Sequence, residues 1–470
     1  MSFGGLYISI SGLQATKTSL NTVSHNIANS DNPNYVRQSA LHKDNYYRTD
    51  GRFQTGTGVS VGEIRQIRDE FLDIRLRREI SSFGYHYAKS GILEDVEGVF
   101  NETTNSGLQK TMNELWSNWN ELGKEAESLT IRGLVHESAV AFTETVNHIS
   151  TQLNHIKQSL NKEIGNKVNE INNILNGVSK LNSKIKLVEG ENSRIKANDY
   201  RDERNALLDR LAQLIPVNIH ENKFGESVIS MQGRDLVNGS YVSTIDIRNN
   251  AEGLGEIYWQ NTNEKIELSS GELAGYINAR DVSVVNYMER LDTLVKDIAE
   301  KINEIHSKGY DLEGNGGVDG SGNGLGEPFF IGIGAKGAAG TIKVNPVLSD
   351  YNKIAASTDP DGIGNGDIAN EIYNLRDLEI TDGMNPDEYY RDIFLSVGIE
   401  REESRNIVNN QGFLINSIDE KRKSISAVSL DEEMTDMIKY QHAYTANSRV
   451  INAIDEMIET VVNRVGLVGR

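Results

Sequence analysis

Apolar residues recur at helical spacing through two proline-free stretches of this chain. Leu108, Met112, Leu115, Trp119 and Leu122 step by four and three, and so do Val135, Ala139, Phe142, Val146, Ile149, Leu153, Ile156 and Leu160. The stripe continues through Ile164, Val168, Ile171, Leu175 and Val178 towards Ile185. A narrow seam sustained over so many turns predicts helices packed lengthwise against other helices. Proline breaks helix interiors, and none of the six prolines lies between Pro33 and Pro216 or beyond Pro386. Tyr287, Leu291, Leu294, Ile298, Ile302 and Ile305 repeat the pattern, with Gly309 placed to cap that helix.

The two ends carry a stricter repeat. Leu6, Leu13, Leu20 and Ile27 recur every seven residues, joined by Ile10 and Val23. Leu430, Met437, Tyr444, Ile451, Ile458 and Val465 do the same at the other end, where Met434, Ile454, Val461 and Val462 widen the stripe. Asp431, Glu432 and Glu433 open this last helix and Arg464 closes it, as the helix dipole favours. Heptads do not reveal whose helix covers them, and spacing alone favours an ordinary pair within the chain.

Between these helical stretches the period drops to two. Val217 and Ile219, Ile245 and Ile247, Ile257 and Trp259, and Ile266 and Leu268 alternate with polar neighbours between glycines, which predicts short half-buried strands. From Asp311 to Asp367 glycine is dense enough to predict loops and short strands. The expected fold is mainly α with inserted β: coiled-coil-like terminal helices, a body of long helices, and a small outward β-rich module. In residues, 1–60 with 425–470 form a terminal helical core, 61–215 with 271–310 and 387–424 the helical body, and 216–270 with 311–386 the outer module.

Composition narrows the function. With 470 residues the chain exceeds one compact core, so two to four domains are expected. A net charge of −20 repels phosphate backbones and anionic lipid, which argues against nucleic-acid and membrane-surface partners. There is no cysteine, hence no disulfide and no thiolate metal site. No run approaches the roughly 18 apolar residues of a membrane helix, and Met1 to Gly12 lacks the form of a cleavable secretory signal, so residues alone point to the cytoplasm.

Motifs that look chemical fail on context. Gly58-Val59-Ser60-Val61-Gly62 has nucleophile-elbow spacing, but Val59, Val61 and Ile64 predict an extended segment where that motif needs a strand, a strained turn and a helix. Gly332-Ile333-Gly334-Ala335-Lys336-Gly337 has the dinucleotide spacing, yet Thr341, Ile342, Lys343 and Val344 read as strand instead of an opening helix. Asp319, Ser321 and Asn323 begin like a calcium loop, but Phe330 stands where the bidentate glutamate belongs; Asp359 and Asp361 fail likewise at Asn370. His148 and His155 read as solvated helix residues. No catalytic residue, cofactor site or metal site is expected.

The residues do resemble a family. Ala28-Asn29-Ser30-Asp31-Asn32-Pro33-Asn34-Tyr35, then Val36-Arg37-Gln38, is similar to the turn that follows the first helix of flagellar axial proteins. Asp69-Glu70-Phe71-Leu72, Asn198-Asp199-Tyr200-Arg201-Asp202-Glu203-Arg204 with Leu207-Leu208-Asp209, and Ser270-Gly271-Glu272-Leu273-Ala274-Gly275 resemble the hook-associated FlgK family. So do Asn303-Glu304-Ile305-His306 leading to Phe329-Phe330, and Ser429-Leu430-Asp431-Glu432-Glu433-Met434 with Tyr440-Gln441, Tyr444 and Arg449-Val450-Ile451. Asn32 and Asn34 replace the family's threonine and glycine, asparagine being tolerant of positive φ, and Ala427 stands where glycine is common.

The resemblance implies a non-enzymatic adaptor between hook and filament. Leu6, Leu13, Leu20, Ile27, Leu430, Met437, Tyr444, Ile451, Ile458 and Val465 would be its assembly seam, and Asn29, Pro33, Asn34 and Tyr35 its family turn. Implied partners are the hook protein, the second hook-filament junction protein, further copies in a ring, and an export chaperone for the C-terminal region. Type III export with an uncleaved signal replaces the cytoplasmic reading, and the ends are expected to order on assembly. Other axial proteins (hook or distal rod), a secreted coiled-coil adhesin and an enzyme within the β module are the competing readings.

Overall fold

The computed structural model describes residues 4–50, 53–100, 107–190, 195–318, 321–334 and 336–464. Val465, Asp319 and Ala335 of the motifs above lie outside them.

The chain opens with α1 (Gly4–Ala28). Two nested hairpins follow: β1 (Gln38–Asp44) and β4 (Val59–Gln66) pair antiparallel around β2 (Tyr47–Asp50) and β3 (Phe53–Gly56). Next come α2 (Glu70–Phe100), α3 (Leu108–Lys124), α4 (Leu129–Glu189) and α5 (Asn198–Leu214). At 61 residues α4 is unbroken for roughly 90 Å, as its uninterrupted apolar stripe and lack of proline predict. An antiparallel meander of β5 (Asn218–Glu221), β6 (Ser227–Met231), β7 (Arg234–Asn238) and β8 (Tyr241–Val242) then leads to the hairpin of β9 (Ile245–Asn249) and β10 (Gly255–Trp259).

A π turn at Ala279–Ser283 joins α6 (Glu272–Asn278) to α7 (Val284–His306). Among the described residues, the glycine-dense segment holds only β11 (Phe330–Ile331), α8 (Ala338–Thr341), β12 (Lys343–Val344) and α9 (Asp367–Asn374), besides single 3-10 turns. Then α10 (Pro386–Ser426) starts on a capping box, with the Asn385 side chain accepting from the Glu388 N–H at 2.8 Å and proline in the first turn. The last helix is α11 (Leu430–Arg464).

Two apolar cores form, and α4 is the spine of both. The first half of its stripe, Val135 to Leu160, packs with α3, α7, the segment from Phe329 to Leu375 and the start of α10. The second half, Ile164 to Val178, packs with α5 and the strands from β6 to β10. The segments 216–270 and 311–386, expected as one outer module, therefore seat on different cores. The physical reason is the length of α4, whose halves present separate apolar surfaces to each.

Asparagines sew the irregular segments onto the helices. On α4, Asn172 donates to the Ile245 carbonyl at 2.8 Å and accepts from its N–H at 3.0 Å, and Asn182 brackets Ser227 in the same way at 2.9 Å. On α7, Asn303 brackets Phe330, with both bonds at 2.7 Å. His306, fully buried between Trp119 and Phe329, donates from Nδ1 to the Glu327 carbonyl at 2.8 Å. Its Nε2 accepts from the Ala355 N–H at 2.9 Å. The stretch from Asn303 to Phe330 thus works as a backbone clamp on the glycine-rich chain.

Gly309 is not in a left-handed cap; a side chain there would meet Ile368 at 2.9 Å, so closeness explains the glycine. Gly271 does need positive φ (+91°), and a Cβ at Gly275 would stand 2.4 Å from the Tyr85 carbonyl, so α6 can touch α2 only through glycine.

Candidate assembly interface

Antiparallel to one another, α1 and α11 pack together within the chain. Gly5 lies against Ile454, Gly12 against Asn447, and Asn26 against Glu433. The face that α1 buries is small and polar: Ser9, Ala15, Thr16, Ser19, Thr22, Val23 and Asn26. Glycines five and twelve residues in allow the backbones to approach, because a Cβ at Gly12 would already be 2.9 Å from the Asn447 side chain.

The heptad positions flank this small face. Leu6, Leu13, Leu20 and Ile27 are half-buried, as are Met437, Ile451 and Ile458, whereas Leu430 and Tyr444 are exposed. Further apolar side chains turn outward: Tyr7 (70% exposed), Ile8 and Ile10 on α1, and Met434 (57%), Ile438 (54%), Val450, Met457, Val461 and Val462 on α11. The pair therefore has a small, largely polar interior and carries apolar side chains among the polar ones of its exterior. Exposed apolar side chains thus run along two adjacent helices.

At its base the pair is tied by charge. Glu433, 1% exposed, accepts from Arg37 Nε at 2.6 Å and from Asn26 Nδ2 at 3.0 Å, and Glu432 accepts from Arg37 Nη1 at 2.6 Å. The Asn26 carbonyl oxygen in turn accepts from the Tyr35 hydroxyl at 2.7 Å and the Gln38 N–H at 3.0 Å. Burial, with Asp199, Asp202 and Glu433 nearby, drives the Tyr35 hydroxyl well above the usual phenol range, so it stays a donor. In the turn before it, Asn29 is half-buried while Pro33 and Asn34 are exposed. Asn34 is not at positive φ; instead the Asn32 side chain accepts its N–H at 3.1 Å and shapes the turn.

The terminal unit meets the body at the start of α5, and the contact is polar. Asp202 accepts from the Val36 N–H at 3.2 Å and from Gln66 at 2.6 Å; Asn198 donates to Gln38 at 3.1 Å and to the Ile64 carbonyl at 3.0 Å. Asp199 accepts from Gln38 at 3.1 Å. Burial pushes the Asp202 carboxyl up to about 7, against the opposing pull of the Val36 N–H, Arg68 and Gln66. The two arginines of this motif face inward: Arg201 pairs with Glu189 at 2.6 Å and Glu221 at 2.8 Å, and Arg204 with Glu221 and Asn182.

Two of the motifs set aside on sequence can be placed in the fold. Ser60 lies in β4, half-buried, as the extended reading predicts. The glycines at 332–337 do precede a helix, the single turn α8, so Thr341 is helical and not strand. The N–H groups of Gly337 and Ala339 are already taken by the Asp292 carboxylate at 2.8 and 2.9 Å. His148 and His155 are exposed. Among the described residues no three His, Asp or Glu side chains gather as a metal would require, and no helix is long and apolar enough to cross a membrane. Sequence reasoning missed Arg37, Asn26 and Glu433 as a unit; the spacing of Gly5, Gly12, Ser19 and Asn26, every seven residues, was the available signal.

Comparisons with known proteins follow the same division. Residues 93–320 match the family described as the flagellar hook-associated protein FlgK helical domain. Residues 6–35 match flagella basal body rod protein, and 423–464 match the flagellar basal body rod FlgEFG protein C-terminal. The chain is 31% identical to flagellar hook-associated protein 1 of Bacillus subtilis (strain 168), covering 100% of this chain and 99% of that protein. It is 22% identical to flagellar hook-associated protein 1 of Escherichia coli (strain K12), covering 97% of this chain and 98% of the relative. The fold is similar to the flagellar hook junction protein FlgK from Burkholderia pseudomallei, with a TM-score of 0.65 at 12% identity over 75% of this chain and 100% of that one.

Proposed function

We propose, from the premise that this chain belongs to the FlgK family of flagellar hook-associated proteins, that α1 and α11 together are the element by which it is built into the flagellar tube. The chain is a structural protein of the bacterial flagellum, placed at the hook-filament junction. The observation that carries the proposal is the set of apolar side chains that the terminal pair leaves on its outside. Its interior is small and polar, while Met434, Ile438, Met457 and Val461 face outward without a partner helix among the described residues. Neighbouring subunits would cover that surface, and burying it would favour assembly.

The finer partners follow from the role. A subunit between two polymers has hook protein on one side and the second junction protein on the other, with further copies beside it. Unlike contacts along one axis are heterologous, so a ring forms if the lateral rotation closes. An outward stripe this apolar needs cover before assembly, which suits a chaperone held on the C-terminal helix during export through the type III apparatus. We assign the chain no catalytic activity.

Ile451→Asp and Ile458→Asp test the seam. A carboxylate buried without a partner costs several kcal/mol, about 3 or more at a closed helix contact. Cells lacking their own copy and supplied with either variant should export it, fail to grow filaments and release flagellin into the medium. Asn452→Asp, on an exposed position of the same helix, should support filaments. Normal filaments on the isoleucine variants would remove the seam from the assembly surface.

A further inference from the structure

We infer that the C-terminal end of α4 is a docking surface of the body, a basic and apolar tip that seats on a carboxylate-rich surface of an unlike axial neighbour. Three segments meet there: the end of α4, the start of α5 and the turn between β5 and β6. Lys184 lies over the Tyr200 ring at 4.9 Å, and Lys186 and Lys223 lie over the Phe224 ring at 5.3 and 4.8 Å. Leu187 follows them and is 86% exposed.

Carboxylates at this tip are mostly turned inward, which leaves the outside to lysine. Glu189, 5% exposed, accepts from Arg201 at 2.6 and 2.9 Å and from the Ala197 N–H at 3.1 Å. Glu226, 6% exposed, takes Asn222 at 2.9 Å and Lys186 at 3.2 Å, and Glu221 is shared by Arg201 and Arg204. Asp199 and Glu203 stay exposed on α5, whereas Lys180, Lys184 and Lys223 are exposed with no ion pair among the described residues.

Charge is sorted along the body. From Lys157 to Lys186 six lysines stand with two glutamates, in a chain whose net charge is −20. From Asp359 to Glu388 nine carboxylates stand with Arg376 alone. That acidic segment begins beside the start of α4, where a Cβ on Gly364 would lie 3.4 Å from Glu127. The ends of α4 are roughly 90 Å apart. Copies set side by side in a ring bring basic tip beside basic tip, and like charges repel. Complementary charge therefore lies along the axis, on a different protein. There an acidic surface meets the lysines, and an apolar side chain within it covers Leu187 and Phe224.

The inference deepens the junction role and rests on it, but it involves neither α1 nor α11. Its test reads flagella that have already assembled. Benzoylphenylalanine in place of Leu187, irradiated in isolated hook-filament particles, should link the chain to hook protein or to the second junction protein through a peptide rich in aspartate and glutamate. Lys184→Glu with Lys223→Glu should lower that link about fivefold or more. Lys162→Glu with Lys343→Glu, an equal change of charge elsewhere, should hold it within about twofold. A link to another copy of this chain, no link, or an equal loss in the control pair would overturn the tip. Phosphatidylglycerol vesicles should not sediment the soluble chain, and sedimentation abolished by Lys184→Glu with Lys223→Glu would overturn it in favour of lipid. Failure of the seam reading looks different: Ile451→Asp would then build filaments, and the link from position 187 would remain.

Discussion

His306 shows how one side chain can hold a whole segment and make it sensitive to acid. Both ring nitrogens are committed, Nδ1 as donor to Glu327 and Nε2 as acceptor from the Ala355 N–H, so only the neutral ring fits. Burial, with Arg132 adding to it, lowers its pKa to about 4, although the Glu327 carbonyl and Asp311 pull the other way. In the unfolded chain the ring titrates near 6.5. Above that pH the two states bind equal protons and the contribution is intact. As pH falls towards 4 the unfolded state gains a proton the folded state refuses, and about 3 kcal/mol of stability is lost. Urea midpoints between pH 7.5 and 4 should fall more steeply for the parent than for His306→Gln, whose amide can donate and accept without titrating. Parallel curves would mean that the buried ring does not carry the acid sensitivity.

At the scale of elements, what could be read from the chain was what periodicity encodes. The stripe from Val135 to Ile185 gives α4, and Tyr287 to Ile305 gives α7, because all these apolar positions but the half-buried Ile156 are buried at a helical step. The hairpins of β1 to β3 left no such trace: Gln38 to Asp44 is mostly polar and half-exposed, so its strand is fixed by pairing with β4 and not by its own pattern. The joint was equally silent, since Asn198, Asp199 and Asp202 resemble any solvated helix start until Gln38 and Gln66 arrive opposite them. Glycine was legible as punctuation but not as contact. Gly275 sits inside α6, where propensity alone would favour alanine, yet its Cβ would press on the Tyr85 carbonyl. Gly275→Ala should cost about 3 kcal/mol through forced separation of α6 from α2. Gly165→Ala in α4, where nothing lies within 4 Å of the added carbon, should stabilise by up to about 1 kcal/mol. Chemical denaturation of both variants checks the opposite signs; a neutral Gly275→Ala would show that α6 shifts freely.

On the scale of the whole molecule, burial is distributed unevenly between its parts. The body holds both apolar cores and long runs of fully buried side chains on α3, α4 and α7, whereas the face that α1 buries is mostly serine, threonine and asparagine. Folding of the body should therefore be indifferent to whether the terminal unit is present, and the unit should open far more often than the body does. Limited proteolysis makes the comparison directly. Trypsin finds basic residues on both sides of the joint, Arg65 and Arg68 on one passage and Arg422 and Lys423 close to the other. Brief digestion of the soluble chain should remove both ends and leave a fragment running from about residue 66 or 69 to about 423. That fragment should retain the main thermal transition of the intact chain, because no residue of either core has been lost. Joining α1 to α11 with a short bismaleimide between Gly5→Cys and Ile454→Cys, where a Cβ on Gly5 would lie 3.4 Å from the end of the Ile454 side chain, should slow trimming without moving that transition. Cuts that fall first within α4 or α7 would place the weak point inside the body, and a terminal unit that resists digestion in the uncrosslinked monomer would mean that its small, polar interior is enough to hold it closed.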